Sequence, residues 1–118
     1  MTKTKKELIA AYLPMSEPSF LLLLFLLEPR HGYALMQMAQ EETHGRVVLG
    51  SSTVYTILYK MEQDDLIEVV NEVDRRKVYQ ITDTGKEILY AEMDRLDAAL
   101  RLAVERTGAR PRREEQSC

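Results

Sequence analysis

Residues 50–63 of the chain are GSSTVYTILYKMEQ, and this stretch predicts an amphipathic helix over about residues 52–63. An apolar stripe at helical spacing marks its core face: Val54, Ile57, Leu58 and Met61. The opposite face is rich in hydroxyl and aromatic groups: Ser52, Thr56, Tyr59 and Gln63, with Tyr55 and Lys60 at its margins. A solvated helix face normally carries Lys and Glu pairs. This face therefore favours docking on a polar, shaped surface such as a DNA groove, with an ordinary surface helix as the alternative.

Two further helices are predicted before this one. Ser16 and Pro18 form a helix start, and the segment that follows, residues 20–27, is apolar on every side. A small domain rarely covers all faces of one helix, so we expect a partner subunit to cover part of it. After a turn at His31-Gly32, a second helix is predicted over residues 33–43, with Gly45 as its C-terminal cap.

A hairpin and one long helix are predicted after residues 50–63. Residues 66–71 and 77–81 are short runs rich in Val, Ile and Tyr, and the segment between them is basic at Arg75 and Arg76. The last helix is predicted to extend to about residue 107. Apolar residues recur along it at steps of four and three, which is the seam of a helix pair: Leu89, Met93, Leu96, Leu100 and Ala103. The seam is too short to hold a dimer alone, so the first helix would have to contribute.

This order of elements is that of a winged helix-turn-helix fold, mainly α with a small β-hairpin and a long C-terminal dimerisation helix. We assign residues 13–82 to the winged helix-turn-helix domain and residues 83–107 to the dimerisation helix. Residues 1–12 are a basic N-terminal arm or a short helix, and residues 108–118 are predicted to be a disordered tail.

Composition excludes several classes of protein. The 118 residues are enough for one domain. One cysteine, Cys118, rules out a disulfide within the chain, and the two histidines, His31 and His44, lack ligand neighbours, so we expect no metal and no cofactor. The longest apolar run is about half of a membrane span, which predicts no membrane association and a cytoplasmic protein. The chain has no phosphate-binding loop and no hydrolase or metalloprotease motif, so an enzyme has little support.

The net charge of −3 is the main argument against a nucleic-acid partner, because domains that bind nucleic acid are usually basic. The acidic residues, however, concentrate at the end of the third helix and in the last helix. The basic residues concentrate in the N-terminal arm, with Lys3, Lys5 and Lys6, and in the hairpin. We therefore expect a DNA binder with few phosphate anchors and modest nonspecific affinity.

Several short segments, in order, resemble the PadR-like transcriptional regulators: residues 13–17 (LPMSE), 31–33 (HGY), 45–47 (GRV), 49–55 (LGSSTVY), 66–67 (LI), 75–79 (RRKVY) and 81–85 (ITDTG). Each segment alone is weak, but the order and spacing are specific over residues 13–105. The single C-terminal helix resembles the compact subgroup of this family. One departure is the hairpin tip, which lacks the glycine that is common there and has a short loop.

The resemblance implies a homodimer that binds a pseudo-palindromic operator in double-stranded DNA and represses transcription. The residues predicted to contact DNA are Tyr33, Ser52, Thr53, Tyr55, Thr56, Tyr59, Lys60, Arg75, Arg76 and Lys77. For Tyr33 and Tyr55 packing is an equal alternative. For Lys60 the alternative is an ion pair with Glu62 or Asp64, and for the N-terminal lysines it is a loose terminus.

The resemblance also implies a small hydrophobic or aromatic effector that releases DNA. The candidate lining residues are Phe20, Leu24, Met93, Leu96 and Leu100, for which core packing is the alternative. A function from another class is a winged-helix module that binds protein and not DNA, which the negative net charge favours slightly.

Overall fold

The computed structural model describes residues 3–112, which form five helices and one small antiparallel sheet. In chain order the elements are α1 (Lys5–Tyr12), α2 (Glu17–Phe25), β1 (Arg30–His31), α3 (Gly32–Glu42), α4 (Ser51–Gln63), β2 (Ile67–Val73), β3 (Arg76–Ile81) and α5 (Asp83–Thr107). This confirms the predicted fold class, a mainly helical winged helix-turn-helix fold with a long C-terminal helix. The predicted disordered tail covers residues 108–118. Residues 113–118 of it, including Cys118, lie outside the described residues.

Short polar side chains cap the N-termini of three helices. Thr4 and Glu7 form a capping box at α1, in which Thr4 Oγ1 accepts from the Glu7 amide at 3.1 Å and Glu7 Oε1 accepts from the Thr4 amide at 2.8 Å. Ser16 Oγ accepts from the Ser19 amide at the start of α2, and Thr82 Oγ1 accepts from the Gly85 amide at the start of α5. Of the two interpretations of residues 1–12, the structure therefore contains the short helix.

The apolar helix α2 lies in the centre of the core. Leu22, Leu23 and Leu26 have no exposed surface, and α3 and α5 both pack against this helix. Leu8 of α1 joins the same cluster. The chain's own helices therefore cover most of α2, and the part expected to be covered by a partner subunit is small. Only the flanks, including Phe20 and Leu24, remain partly exposed.

The sheet has three strands in the order β1-β3-β2. The β2–β3 hairpin, residues 67–81, is named the wing below. The sequence predicted its two strands and missed β1, since a two-residue strand has no periodicity to detect. Arg30 lies opposite Tyr79 and His31 opposite Val78 in the β1–β3 pair. This pairing attaches the wing to the residues that immediately precede α3.

One carboxylate of α5 is buried, although the acidic residues of the sequence suggested solvated helix faces. Glu92 is 1% exposed and accepts hydrogen bonds from the Arg95 guanidinium at 2.7 and 2.8 Å. It also accepts from the Met15 amide at 3.4 Å, which ties α5 to the segment between α1 and α2. The Arg95 hydrogen bonds hold the pKa of Glu92 below its usual value, against the opposing effect of burial.

Gly85 lets α5 start directly against the wing. A Cβ atom on Gly85 would overlap the carbonyl oxygen of Leu66 and would lie 2.7 Å from Cγ1 of Ile81. The same Leu66 oxygen accepts hydrogen bonds from the Thr82 amide at 2.9 Å and from Thr82 Oγ1 at 3.0 Å. The start of α5 and the start of β2 are thus in backbone contact, which leaves no room for a side chain.

We expect Gly85→Ala to lower the free energy of unfolding by at least about 2 kcal/mol, because a backbone carbonyl cannot move aside as a flexible side chain can. Gly50→Ser is the matched control. Gly50 has open space around it and is the N-cap of α4, where serine is favoured, so its effect should be below roughly 0.5 kcal/mol or stabilising. Urea denaturation measures both. Equal stability of Gly85→Ala and the unmodified chain would contradict the close approach.

Candidate nucleic-acid interface

The outer face of α4 is exposed along its length, as the sequence predicted. Val54, Leu58 and Met61 are at most 1% exposed, so the opposite face points to solvent. The exposed side chains on or beside that face are Ser52, Thr53, Tyr55, Thr56, Tyr59 and Lys60. Tyr59 is 67% exposed, which is unusual for an aromatic residue that packs within its own chain. This face is therefore free to contact a ligand.

The tip of the wing is a two-residue turn with no glycine. Asp74 and Arg75, between the two strands, have φ angles of +52° and +65°. Two consecutive positive φ angles are the geometry of a type I′ hairpin turn, which normally selects Asn-Gly or Asp-Gly. Arg75 thus occupies a position where glycine is preferred, and it presents its guanidinium at the tip. Arg76 and Lys77 follow it and are also exposed.

A groove of about 840 Å³ separates the wing from the starts of α3 and α4. We call it the wing groove. Its lining residues are His31, Gly32, Tyr33, Met36, Ser51, Tyr55, Arg75, Arg76, Lys77 and Tyr79. Five of the predicted DNA-contact residues therefore line one concave surface: Tyr33, Tyr55, Arg75, Arg76 and Lys77. Burial raises the pKa of the Tyr79 hydroxyl on the inner wall, and the nearby Glu62 and Tyr55 raise it further.

Five residues that line the wing groove are not among the predicted DNA contacts: His31, Gly32, Met36, Ser51 and Tyr79. Ser51 is the first residue of α4, one position before the predicted start, so an exact helix boundary would have included it. His31 lies in what the sequence indicated as a turn, and its Nδ1 atom is buried without a hydrogen-bond partner. The helices that start at this groove, α3 and α4, have no side-chain cap. Their first amides are therefore not taken up by a capping side chain.

Tyr55 has the packing contact that was one of its two interpretations, and it is also partly exposed. Its ring lies against the backbone of Gly32, and 47% of its surface is still exposed in the wing groove. It therefore packs α4 against the start of α3 and at the same time lines the charged surface. Tyr33, by contrast, is 57% exposed and lines the groove from α3.

Lys60 has the ion pair that was its alternative interpretation. Its ammonium lies 3.4 Å from Asp64 Oδ2 and 5.1 Å from the centroid of the Tyr12 ring. Lys60 and Thr56 line a second groove of about 280 Å³, between α4 and the α1–α2 connection, and are not among the residues that line the wing groove. Their DNA contacts would thus be separate from those of the wing.

Asp64 joins the N-terminal segment to α4. Lys3 Nζ donates to its Oδ1 at 2.9 Å, and the Tyr12 hydroxyl donates to its Oδ2 at 2.7 Å. Burial alone would raise the pKa of Asp64, but the hydrogen bonds from Lys3 and Tyr12 and the charge of Lys60 outweigh it and lower the pKa. Lys3 is therefore engaged within the chain and does not extend as a loose arm.

The exposed apolar stripe of α5 begins at Met93, four residues after the predicted start at Leu89. Met93, Leu96 and Leu100 are 43–47% exposed, and Ala103 is exposed as well. Leu89, which shares their spacing, is 1% exposed within its own core and cannot belong to a surface seam. Phe20 and Leu24 pack partly against the core, and Leu100 lines a shallow groove with Asp97 and Arg101 of the same helix, among other residues.

Comparison with known proteins identifies the family. The sequence pattern of the PadR-like family of transcriptional regulators matches residues 21–98. The chain belongs to this family. Membership confirms the prediction of a regulator rather than an enzyme. No protein of curated function matches the chain significantly.

Solved structures of PadR-like and other regulators share the fold. A transcriptional regulator from Clostridium thermocellum has a TM-score of 0.67 at 16% identity, over 87% of this chain and 97% of that one. A PadR family regulator from Clostridium difficile has a TM-score of 0.64 at 21% identity, over 80% of this chain and 100% of that one. Bacillus subtilis PadR, solved in complex with operator DNA, has a TM-score of 0.61 at 24% identity, over 68% of this chain and 48% of that one.

Two further features concern the described residues alone. Within residues 3–112, no helix has both the length and the apolar character needed to cross a bilayer. The same residues include no cluster of three or more His, Cys, Asp or Glu side chains placed to bind a metal ion.

The unusual wing tip leads to a prediction at Arg75. Replacing Arg75 by Gly or by Gln removes the same charge, but only glycine relieves the positive φ angle. We expect Arg75→Gly to be more stable than Arg75→Gln by roughly 0.5–1 kcal/mol, after allowing for the entropy of glycine in the unfolded chain. Thermal unfolding of the two variants at equal concentration measures the difference. Identical stability would show that the turn relaxes around the arginine.

A second prediction concerns Asp64. Because the folded pKa is lowered, the stability from this carboxylate is present above its unfolded pKa of about 4 and is lost as the pH falls through the folded value. Asp64→Asn should therefore cost about 1–3 kcal/mol at pH 7, and this cost should shrink progressively as the pH falls below about 4. Urea titrations across this range test it, with the exposed Asp94→Asn as control. A pH-independent cost would contradict the ion-pair explanation.

Proposed function

We propose that this PadR-like chain is a sequence-specific DNA-binding regulator that acts as a homodimer on a pseudo-palindromic operator and represses transcription. The observation that supports it most directly is the wing groove, in which three cations of the wing face the first turns of α3 and α4. A solved relative in complex with operator DNA supports the same proposal.

The helix α4 would enter the major groove. An α-helix with its side chains is about 10–12 Å across, and the major groove of B-DNA is about 12 Å wide. In this position Ser52, Thr53, Thr56 and Tyr59 reach base edges or phosphates. Short hydroxyl side chains allow a close approach, while the exposed Tyr59 ring offers a larger surface to the bases.

The wing would hold the DNA backbone beside α4. Arg75, Arg76 and Lys77 are exposed and lie on one side of the wing groove, so they can neutralise neighbouring phosphates. The Tyr33 hydroxyl and the uncapped first amides of α3 and α4 add donors without adding charge. Lys60 contributes less in this arrangement, because Asp64 already neutralises it.

The exposed stripe of α5 supports the homodimer. Met93, Leu96, Leu100 and Ala103 form an exposed apolar row along α5, and such rows are normally covered by another helix. A second copy is the proposed occupant. Related by a two-fold axis, the two α4 helices would enter successive major grooves about 34 Å apart.

The proposed effector is a small hydrophobic or aromatic molecule that binds between α2 and α5 and releases the operator. Phe20 and Leu24 on α2 are partly exposed, and Met93, Leu96 and Leu100 on α5 offer further apolar surface. These helices pack against each other, so a molecule between them would change the angle between the dimer helix and the DNA-binding domain.

Selection of genomic fragments by the purified chain, followed by footprinting, tests the proposed function. We expect enrichment of a short inverted repeat and two protected half-sites about one helical turn apart. Binding should weaken steeply with salt. A chain that enriches no sequence and shows no salt-dependent retention on duplex DNA would overturn the proposal in favour of a protein-interaction module.

The wing cations are tested by the double variant Arg75→Gln/Arg76→Gln. We expect weaker binding to all DNA sequences and a shallower salt dependence, by about one unit of log–log slope per arginine in each protomer. The control is Arg101→Gln/Arg106→Gln, which removes the same charge from α5. Fluorescence anisotropy against salt measures both. An equal loss in both variants would indicate a general charge effect, and no loss in either would remove the wing from the interface.

A further inference from the structure

Gly32, the first residue of α3, lies under the ring of Tyr55. An ideal Cβ atom on Gly32 would lie 2.7 Å from Cζ and Oη of Tyr55 and 2.8 Å from Cε1. Carbon atoms in van der Waals contact are normally about 3.5–4.0 Å apart. Any side chain at residue 32 would therefore displace the hydroxyl end of this ring.

The backbone does not itself require glycine at this position. Gly32 is helical, and its φ angle lies outside the left-handed region in which glycine is favoured. Glycine in a helix costs roughly 0.5–1 kcal/mol relative to alanine. The closest neighbours of the added Cβ atom are all in the Tyr55 ring, so the space that Gly32 leaves open is used by Tyr55.

The packing decides where the Tyr55 hydroxyl lies. A half-exposed tyrosine on a helix surface can adopt several rotamers and can point its hydroxyl into solvent. Here the contact with Gly32 holds Oη at the start of α3, where Tyr33, Ser51 and the wing cations line the same groove. A hydroxyl donor at this point faces the place where the proposed function puts a DNA phosphate.

We propose that Gly32 is a positioning residue for DNA binding, which acts by holding the Tyr55 hydroxyl in the wing groove for contact with the DNA backbone. This inference rests on the proposed function and adds to it a specific contact and the residue that fixes it. The alternative is that Gly32 only relieves crowding between α3 and α4, with no effect on binding beyond a loss of stability.

A double-mutant cycle separates these possibilities. The four proteins are the unmodified chain, Gly32→Ala, Tyr55→Ala and Gly32→Ala/Tyr55→Ala, each titrated against a mixed-sequence DNA duplex at low salt. We expect Gly32→Ala and Tyr55→Ala each to weaken binding about tenfold, which corresponds to one hydrogen bond to a charged group. In the Tyr55→Ala background, Gly32→Ala should cost nothing further, because its only effect is through the ring.

Tyr55→Phe tests the hydroxyl separately from the packing. It keeps the ring on Gly32 and removes only Oη, so we expect weaker DNA binding with little change in thermal stability. Normal DNA affinity of Tyr55→Phe would exclude the hydroxyl contact. An equal cost of Gly32→Ala in both backgrounds of the cycle would exclude positioning through Tyr55.

Ring position is measured independently of DNA. With 3-fluorotyrosine incorporated at all six tyrosines, ¹⁹F NMR resolves the Tyr55 signal, which the Tyr55→Phe variant assigns. Gly32→Ala should shift this signal most. An unmoved Tyr55 signal would overturn the inference even if Gly32→Ala weakens DNA binding. Failure of the unmodified chain to bind any DNA would instead overturn the proposed function, which the fragment selection shows separately.

Discussion

The short pairing between β1 and β3 holds the wing groove together. The two residues of β1 connect the end of α2 to the start of α3, and they pair with Tyr79 and Val78 in the middle of the wing. Next to this pair, the Ile81 amide donates to the Leu26 carbonyl at 2.8 Å, and Arg30 Nε donates to the Phe25 carbonyl at 3.1 Å.

Without this pairing the wing would be a two-stranded hairpin, which is marginally stable by itself. The pairing fixes the wing beside the first turn of α3, while the close approach at Gly85 fixes the other end of the wing against α5. The wing cations, the start of α4 and the exposed stripe of α5 are consequently held in one arrangement. A change in the angle of α5 could therefore reach the wing through the backbone contact at Leu66.

Net charge is a poor guide to this surface because several carboxylates are neutralised within the chain. Asp64 interacts with Lys3 and Lys60, Glu92 with Arg95, and Glu17 with Arg46, whose two hydrogen bonds lower the pKa of Glu17. The wing groove, in contrast, has three cations and no carboxylate among its lining residues. The field near the proposed DNA site is therefore more positive than the total of −3 indicates.

Helices and their apolar faces were predictable from local patterns. The bounds of α4 and α5 agree with the predicted ones to within one residue, because capping residues and helical periodicity are contained in the sequence itself. The prediction of the α5 seam failed at one residue, because an apolar repeat can pack either in the chain's own core or against a partner helix. Leu89 continues the spacing of the α5 seam but packs in the chain's own core, since a heptad pattern does not say which neighbour covers it.

By itself, the sequence determined the order of elements, the apolar stripe of α4, the basic wing tip and the resemblance to PadR-like regulators. All of these depend on residues close together along the chain. Tertiary structure decided that α2 is covered within the chain, that Lys3 and Tyr12 hydrogen-bond to Asp64 and that the Tyr55 ring lies on Gly32. These contacts join residues far apart in the chain. Whether they form depends on packing that is precise to a few tenths of an ångström, which no local pattern encodes.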